Sequence, residues 1–223
     1  MGMNKVKGNM YGFVTHTWNT VKGKCPHDCS YCYMKRFKQP ELHFDEQELK
    51  TNLGEGNFIF VGSSCDMFAE EISREWIVDT LEHCEKYPQN KYLFQSKNPE
   101  RFNDFNIPKK TILCTTIETN KQSLLNKYSS PISFIERIHD LLRIAQTTKI
   151  PVMVTIEPIM DFNLWDMFSW LGDRLISQIN IGANTNPAIK LPEPPKEKIL
   201  KLISALEKIT TVHLKPNLDR LIK

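Results

Sequence analysis

No stretch of this sequence approaches the roughly 18–20 uninterrupted apolar residues that a membrane-spanning helix needs. The N-terminus, Met1 to Asn9, is polar and lacks the apolar h-region of a signal peptide. Both absences predict a cytoplasmic protein with no membrane partner, in a compartment where thiols stay reduced. Charge of one sign is missing too. Lys and Arg number 29 against 26 Asp and Glu, and the net +3 is too small to forecast a phosphate-binding surface. There is no internal repeat and no low-complexity tract. What remains is ordinary: 40% hydrophobic and 25% charged residues, enough for a sizeable core without disulfides. A length of 223 residues fits one large domain or two small ones.

Short β-rich runs alternate with helical patterns along the chain. The runs are Tyr11–Thr15, Phe58–Val61, Tyr92–Gln95, Ile112–Ile117, Val152–Ile156, Gln178–Ile181 and Val212–Leu214. Helices are predicted over Arg74–Lys86 with Ser73 as cap, Ile132–Ala145 and Lys196–Lys208, with weaker patterns over Asn98–Asn103 and Phe162–Leu171. Such alternation implies parallel strands joined by helical crossovers. Periodicity alone does not choose between an open doubly wound sheet and a complete or partial barrel.

The ends of the runs are polar: Ser63, Ser64 and Asp66, then Gln95 and Lys97, Thr116 and Glu118, Glu157, and Lys215. In parallel α/β proteins ligands lie at the carboxyl ends of strands. Alternation puts Cys114, Thr116 and Glu118 on one strand face, and likewise Met153, Thr155 and Glu157, and His213 with Lys215. Inward-facing, these residues predict a polar cavity; outward-facing, they merely begin surface loops.

Of six cysteines, three fall within the segment Lys24-Cys25-Pro26-His27-Asp28-Cys29-Ser30-Tyr31-Cys32-Tyr33. Thiolates this close are soft ligands for iron–sulfur clusters or zinc. A loop at the end of the first strand, leading into a helix from about Ser30, would aim them at one site. Three ligands rather than four leave a position open. A zinc site completed by His27 or His16, and a purely redox cluster, are the alternatives. Cys84 falls on the apolar face of a predicted helix and reads as core, whereas Cys65 and Cys114 read as candidates for the cavity wall.

The C-x3-C-x2-C spacing, with an aromatic residue before the last cysteine, resembles the signature of radical S-adenosylmethionine (radical SAM) enzymes. The chain further resembles a phage- and mobile-element-associated radical SAM group of unknown function, distantly similar to spore photoproduct lyase. The matching segments are Thr17-Trp18-Asn19, Cys32-Tyr33, Phe60-Val61-Gly62-Ser63, Asp66-Met67-Phe68, Phe94-Gln95, Pro99-Glu100-Arg101, Thr116-Ile117-Glu118 and Thr155-Ile156-Glu157-Pro158. That group often spaces its first two cysteines more widely, and it has a Gly-Gly-Glu-Ser-like segment where this chain has Gly182-Ala183-Asn184-Thr185.

The resemblance implies an α/β fold, a partial (β/α)6 TIM-type barrel with parallel strands. It implies a single radical SAM domain over residues 1–223, with its core at about 10–216. Cys25, Cys29 and Cys32 would bind a [4Fe–4S] cluster whose fourth iron takes S-adenosyl-L-methionine. Ser63, Ser64 and Asp66 would meet the methionine part, Thr116 or Glu118 the ribose, Tyr31 the adenine, and Glu157 cofactor or substrate. Cys65 or Cys114 would serve as hydrogen donor. The implied activity is generation of a 5′-deoxyadenosyl radical acting on a nucleobase, nucleotide or nucleic acid, with electrons from a reductant such as flavodoxin or ferredoxin. Radical modification of a small metabolite or peptide, and a non-catalytic iron–sulfur or zinc module, are the competing readings.

Overall fold

The alternating faces of the β-rich runs decide the architecture. In a computed structural model, which describes residues 2–129 and 132–223, ten strands form one large sheet and one small ribbon. The strands are β1 (Asn4–Lys5), β2 (His16–Trp18), β3 (Val21–Lys22), β4 (His43–Phe44), β5 (Phe58–Val61), β6 (Lys91–Gln95), β7 (Thr111–Thr116), β8 (Val152–Ile156), β9 (Ile176–Ile181) and β10 (Thr211–Leu214). The large sheet runs β1-β2-β5-β6-β7-β8-β9-β10. All of its pairings are parallel except β1 with β2. Strand order follows chain order, as in a barrel, but β1 and β10 remain separate edges.

The crossovers follow local chemistry. Helix α1 (Arg74–Glu85) links β5 to β6. The short α2 (Gln122–Leu125) and α3 (Phe134–Thr148) link β7 to β8. Helix α3 begins later than its apolar periodicity suggests, because Ser133 and Glu136 form a reciprocal capping box that fixes its start. Helix α4 (Leu164–Leu171) starts at Asn163, whose side chain accepts from the N–H groups of Trp165 and Asp166. Helix α5 (Lys196–Leu206) leads into β10, and α6 (Asp219–Ile222) closes the chain. The Asn98–Asn103 pattern becomes 3-10 turns over Pro99–Asp104.

The two faces of the sheet have different fates. Ile59, Val61, Tyr92, Phe94, Leu113, Val152, Val154, Ile179 and Ile181 pack under the helices in the main core. The intervening Phe60, Leu93, Cys114 and Met153 point to the inner face, where Tyr11 and Val14 join them in a second apolar cluster. Two residues further along the same strands come Gly62, Gln95 and Thr116, and these line an open cavity. The barrel interior is therefore a dry floor beneath a polar chamber at the carboxyl ends.

Two expected elements differ. Tyr11–Thr15 is not a strand: the Val14 N–H donates to the Tyr11 carbonyl at 3.0 Å, making a turn that drives Tyr11 into the barrel, and strand β2 starts at His16. No α-helix starts at Ser30 either. After a short 3-10 turn at Tyr33–Arg36 the chain must return to Pro40, whose carbonyl accepts from Lys24 N–H at 3.1 Å. That closure lets β3 pair with β4, so the cysteines occupy the loop of a ribbon. Gly23 makes the close approach feasible: its φ is +99°, and a Cβ there would lie 2.3 Å from the Glu41 carbonyl oxygen.

Candidate functional site

Cys25, Cys29 and Cys32 all face a cavity of 440 Å³ at the carboxyl edge. The loop that carries them is built from tight turns, with Asp28 N–H donating to Cys25 and Cys32 N–H to Cys29, each at 3.1 Å. Asp28 takes a positive φ of 41° to allow the reversal. The loop is also tied to the segment after α2. Ser30 N–H donates to the Tyr128 carbonyl at 2.7 Å, and Cys29 Sγ lies 2.8 Å from Ser129 Oγ.

Ser63, Ser64, Cys65 and Asp66, in the loop after β5, form the adjoining wall. Asn19 orders this loop: its Oδ1 accepts from Ser63 Oγ at 3.2 Å and Ser64 N–H at 3.0 Å. Asp66 joins the two loops. Its Oδ2 lies 2.7 Å from His27 Nε2 and accepts from Ser96 Oγ at 3.0 Å and Lys97 N–H at 2.8 Å, while Oδ1 accepts from Phe68 N–H at 3.0 Å. Burial acts to raise the Asp66 carboxyl, but the His27 charge and hydrogen bond outweigh it and hold the group below its ordinary value. The Cys65 thiol beside Cys25 hydrogen-bonds it and pulls the Cys25 thiol down to about 6, against burial. Cys65 is pushed well up in return.

Glu118 is not on the cavity wall. It is fully buried beneath Tyr31 and Lys97. The Tyr31 hydroxyl and Lys97 Nζ both bond its Oε1, and Arg137 Nη1 reaches Oε2 at 3.1 Å. Burial alone would raise this carboxyl; Lys97 and Arg137 overcome that and hold it down to about 2. Glu118, expected in the cavity lining, thus lies outside it and bonds Tyr31 and Lys97 instead. Thr116, two residues earlier, does line the cavity and accepts from Gln95 Nε2 at 3.0 Å.

Glu157 closes the far end. Lys215 Nζ is 2.5 Å from its Oε2, and Asn9 and Asn217 donate to its Oε1 at 2.7 and 2.8 Å. Lys215 is buried and lines the cavity, whereas His213 on the edge strand is exposed to solvent and lies outside it. Cys114 also falls outside. It belongs to the apolar floor, one strand step below Thr116 and behind Tyr11. Cys84 is fully buried in the main core, as its helix face predicts.

Sequence reasoning missed His27 as partner of Asp66, and it missed Tyr11, Arg137 and Asn217. Only Arg137 carried a signal. With Phe134, Ile138 and Leu141 it falls on the apolar stripe of α3, and a charge in that register needs a buried partner.

The donor set can be tested against the metals it suggests. Among the described residues no three His, Cys, Asp or Glu side chains are grouped closely enough to enclose one metal ion. His27, the nearest candidate for a fourth zinc ligand, is engaged by Asp66. A cubane cluster takes one thiolate at each of three separate irons, and Cys25, Cys29 and Cys32 line one cavity. A second hollow, on the outward side of the same loop, is also lined by Cys25, Cys29 and Cys32, together with Lys24, Lys35 and Phe37.

No protein-family model and no curated protein matches the sequence. Solved structures do match the fold. A cysteine-to-serine mutant of spore photoproduct lyase aligns with a TM-score of 0.67 over 96% of this chain and 80% of that one, at 12% identity. A cysteine-to-alanine mutant gives 0.69 over 92% and 77%, also at 12% identity. A double mutant with bound AdoMet and dinucleoside spore photoproduct gives 0.55 over 90% of this chain and 63% of that one, again at 12% identity. At such identities the likeness speaks for the fold: this chain is similar in architecture to spore photoproduct lyase, a radical SAM enzyme.

Proposed function

We propose that this chain is a radical SAM enzyme, holding one [4Fe–4S] cluster on Cys25, Cys29 and Cys32 and acting on a nucleobase, nucleotide or nucleic acid. The observation that carries the proposal is the meeting of the three cysteines with Ser63, Ser64, Tyr31, Thr116 and Glu157 around one cavity. Three thiolates leave one corner of a cubane without a protein ligand. Beside it, Ser63 and Ser64 offer hydrogen bonds to an amino-acid moiety, Tyr31 a ring face for adenine, and Thr116 a hydroxyl for ribose. When bound and reduced, the cluster supplies the electron that splits AdoMet into methionine and a 5′-deoxyadenosyl radical.

The chain's own residues complete the site. The apolar floor of Phe60, Leu93, Cys114 and Met153 shuts the amino end of the barrel against water. Asp66 and His27 fix the cysteine loop to the loop after β5. Cys65, which borders the cavity, is the better placed hydrogen donor; Cys114 lies in the apolar floor beside Tyr11. Lys7 and Arg36, exposed at the mouth, suit a substrate bearing phosphate. The dinucleoside photoproduct held by a structurally similar lyase supports the nucleic-acid branch. The outward hollow behind the cysteines is the surface on which a flavodoxin or ferredoxin would deliver electrons. A chain whose six cysteines are all free thiols also suits a reducing, cytoplasmic setting.

The test is anaerobic incubation of reconstituted protein with dithionite and AdoMet, reading 5′-deoxyadenosine by chromatography. Its formation, absent in Cys29→Ala, is the expected result. Brown protein that yields none would make the chain a cluster-binding module, and colourless protein with one tightly held zinc would overturn the reading. Salt-sensitive binding of single-stranded oligonucleotides would support the nucleic-acid branch.

A further inference from the structure

The charges beneath the cysteine loop do not balance. Glu118 and Arg137 are fully buried, and the Lys97 side chain is only 14% exposed. Two cations therefore share a single carboxylate. The other buried ion pairs on this cavity are matched one to one, Asp66 with His27 and Glu157 with Lys215. Arg137 also keeps Nε and Nη2 without a partner among the described residues. A buried positive charge left without an anion is strongly unfavourable. Among the described residues no second carboxylate pairs with this group, so the excess is matched to something the site receives.

The position of the excess says what that is. Lys97 Nζ donates to the Tyr31 hydroxyl at 2.6 Å and lies 5.0 Å from the centre of the Tyr31 ring. Tyr31 stands between Cys29 and Cys32 in the loop, and Lys97 lines the same cavity as both. Three thiolates on an oxidised [4Fe–4S] core of charge 2+ give a net −1; adding one electron makes it −2. A fixed positive charge nearby favours the more negative state.

We propose that Lys97, Glu118 and Arg137 form a built-in counter-charge for the cluster, with Lys97 the positioning residue that makes the cluster easier to reduce. This rests on the cluster reading given above. The step is a one-electron reduction with dithionite as donor, and no bond in the protein forms or breaks.

The test is a redox titration of anaerobically reconstituted protein without AdoMet, followed by electron paramagnetic resonance of the reduced cluster. Lys97→Met leaves Glu118 and Arg137 as a neutral pair and should make reduction about tenfold less favourable, a fall of about 59 mV for one electron. Lys97→Arg should restore the wild-type potential. Glu118→Gln removes the only anion and should shift the potential the opposite way. A merely structural role would move both variants in one direction. An unchanged potential in Lys97→Met, with iron content intact, would overturn the inference and leave the cluster reading standing. So would an unchanged potential with weakened AdoMet binding, which would assign Lys97 to that ligand. If Glu118→Gln does not fold, the Lys97→Met and Lys97→Arg pair still decides. Wild-type protein that takes up no iron would overturn the cluster reading itself, and this inference with it.

Discussion

Replacing Glu118 by Gln removes the single anion between two buried cations and keeps the shape of the side chain. Breaking a buried ion pair by deleting one partner typically costs about 3–5 kcal/mol. The ionisation of Glu118 leads to a similar figure. Its carboxyl moves from an ordinary 4.5 to about 2 on folding, because Lys97 and Arg137 outweigh its burial. At about 1.36 kcal/mol per pKa unit, that is about 3 kcal/mol. The sign follows from the depressed value. This contribution is fully present above pH 4.5 and is lost as the pH falls toward 2. Since Gln resembles the protonated acid, the gap between wild type and variant should narrow over the same range. About 1.5 kcal/mol of it should be gone by about pH 3.5. Urea unfolding of the metal-free protein, followed by tryptophan fluorescence at a series of pH values, measures both. A gap below about 1 kcal/mol at neutral pH is too small for a broken buried pair. That result, or a gap that fails to narrow on acidification, would refute the assignment of Glu118 as the buried anion.

Three further outcomes are expected. Reconstituted wild-type protein should bind about four irons and four sulfides; Cys25→Ala, Cys29→Ala and Cys32→Ala should lose them while Cys84→Ala keeps them, as chemical iron and sulfide assays will tell. Gly182→Ala would put a Cβ 2.7 Å from Glu157 Oε1; forcing that carboxylate off Lys215 should cost about 1–3 kcal/mol in urea unfolding without lowering iron content. Tyr31→Phe removes the hydroxyl shared by Glu118 and Lys97 and should cost about 1–2 kcal/mol, with cluster uptake retained in the visible absorption spectrum.

The parallel fold was legible because its strands obey a strict period of two. Phe60, Leu93, Cys114 and Met153 can be read off the sequence as one face, and their neighbours as the other. That the three cysteines share one loop was legible from spacing, whereas the helix expected from Ser30 is absent because the chain turns back to Pro40. The fate of Glu118 was not. A glutamate at a strand end looks the same whether it meets solvent or two distant cations, and Lys97 and Arg137 come from other crossovers. Tyr11 was misread for a related reason: an aromatic next to Gly12 and Phe13 scores as a strand, and only the turn closed by Val14 sends it inward. Cys114 shares a face with Thr116, yet one strand step separates dry floor from open chamber, and periodicity carries no depth.

The β3–β4 ribbon separates the length of the cysteine loop from the strands of the barrel. Because Lys24 is bonded back to Pro40 across Gly23, the loop is a closed detour whose two ends return to the same place. Residues added between Cys25 and Cys29 are absorbed inside that detour and do not move the barrel strands on either side. Doubling the length of such a loop costs only about 0.6 kcal/mol in closure entropy. Cysteine spacing can therefore drift between related chains, while Gly23, whose Cβ would strike the Glu41 backbone, cannot.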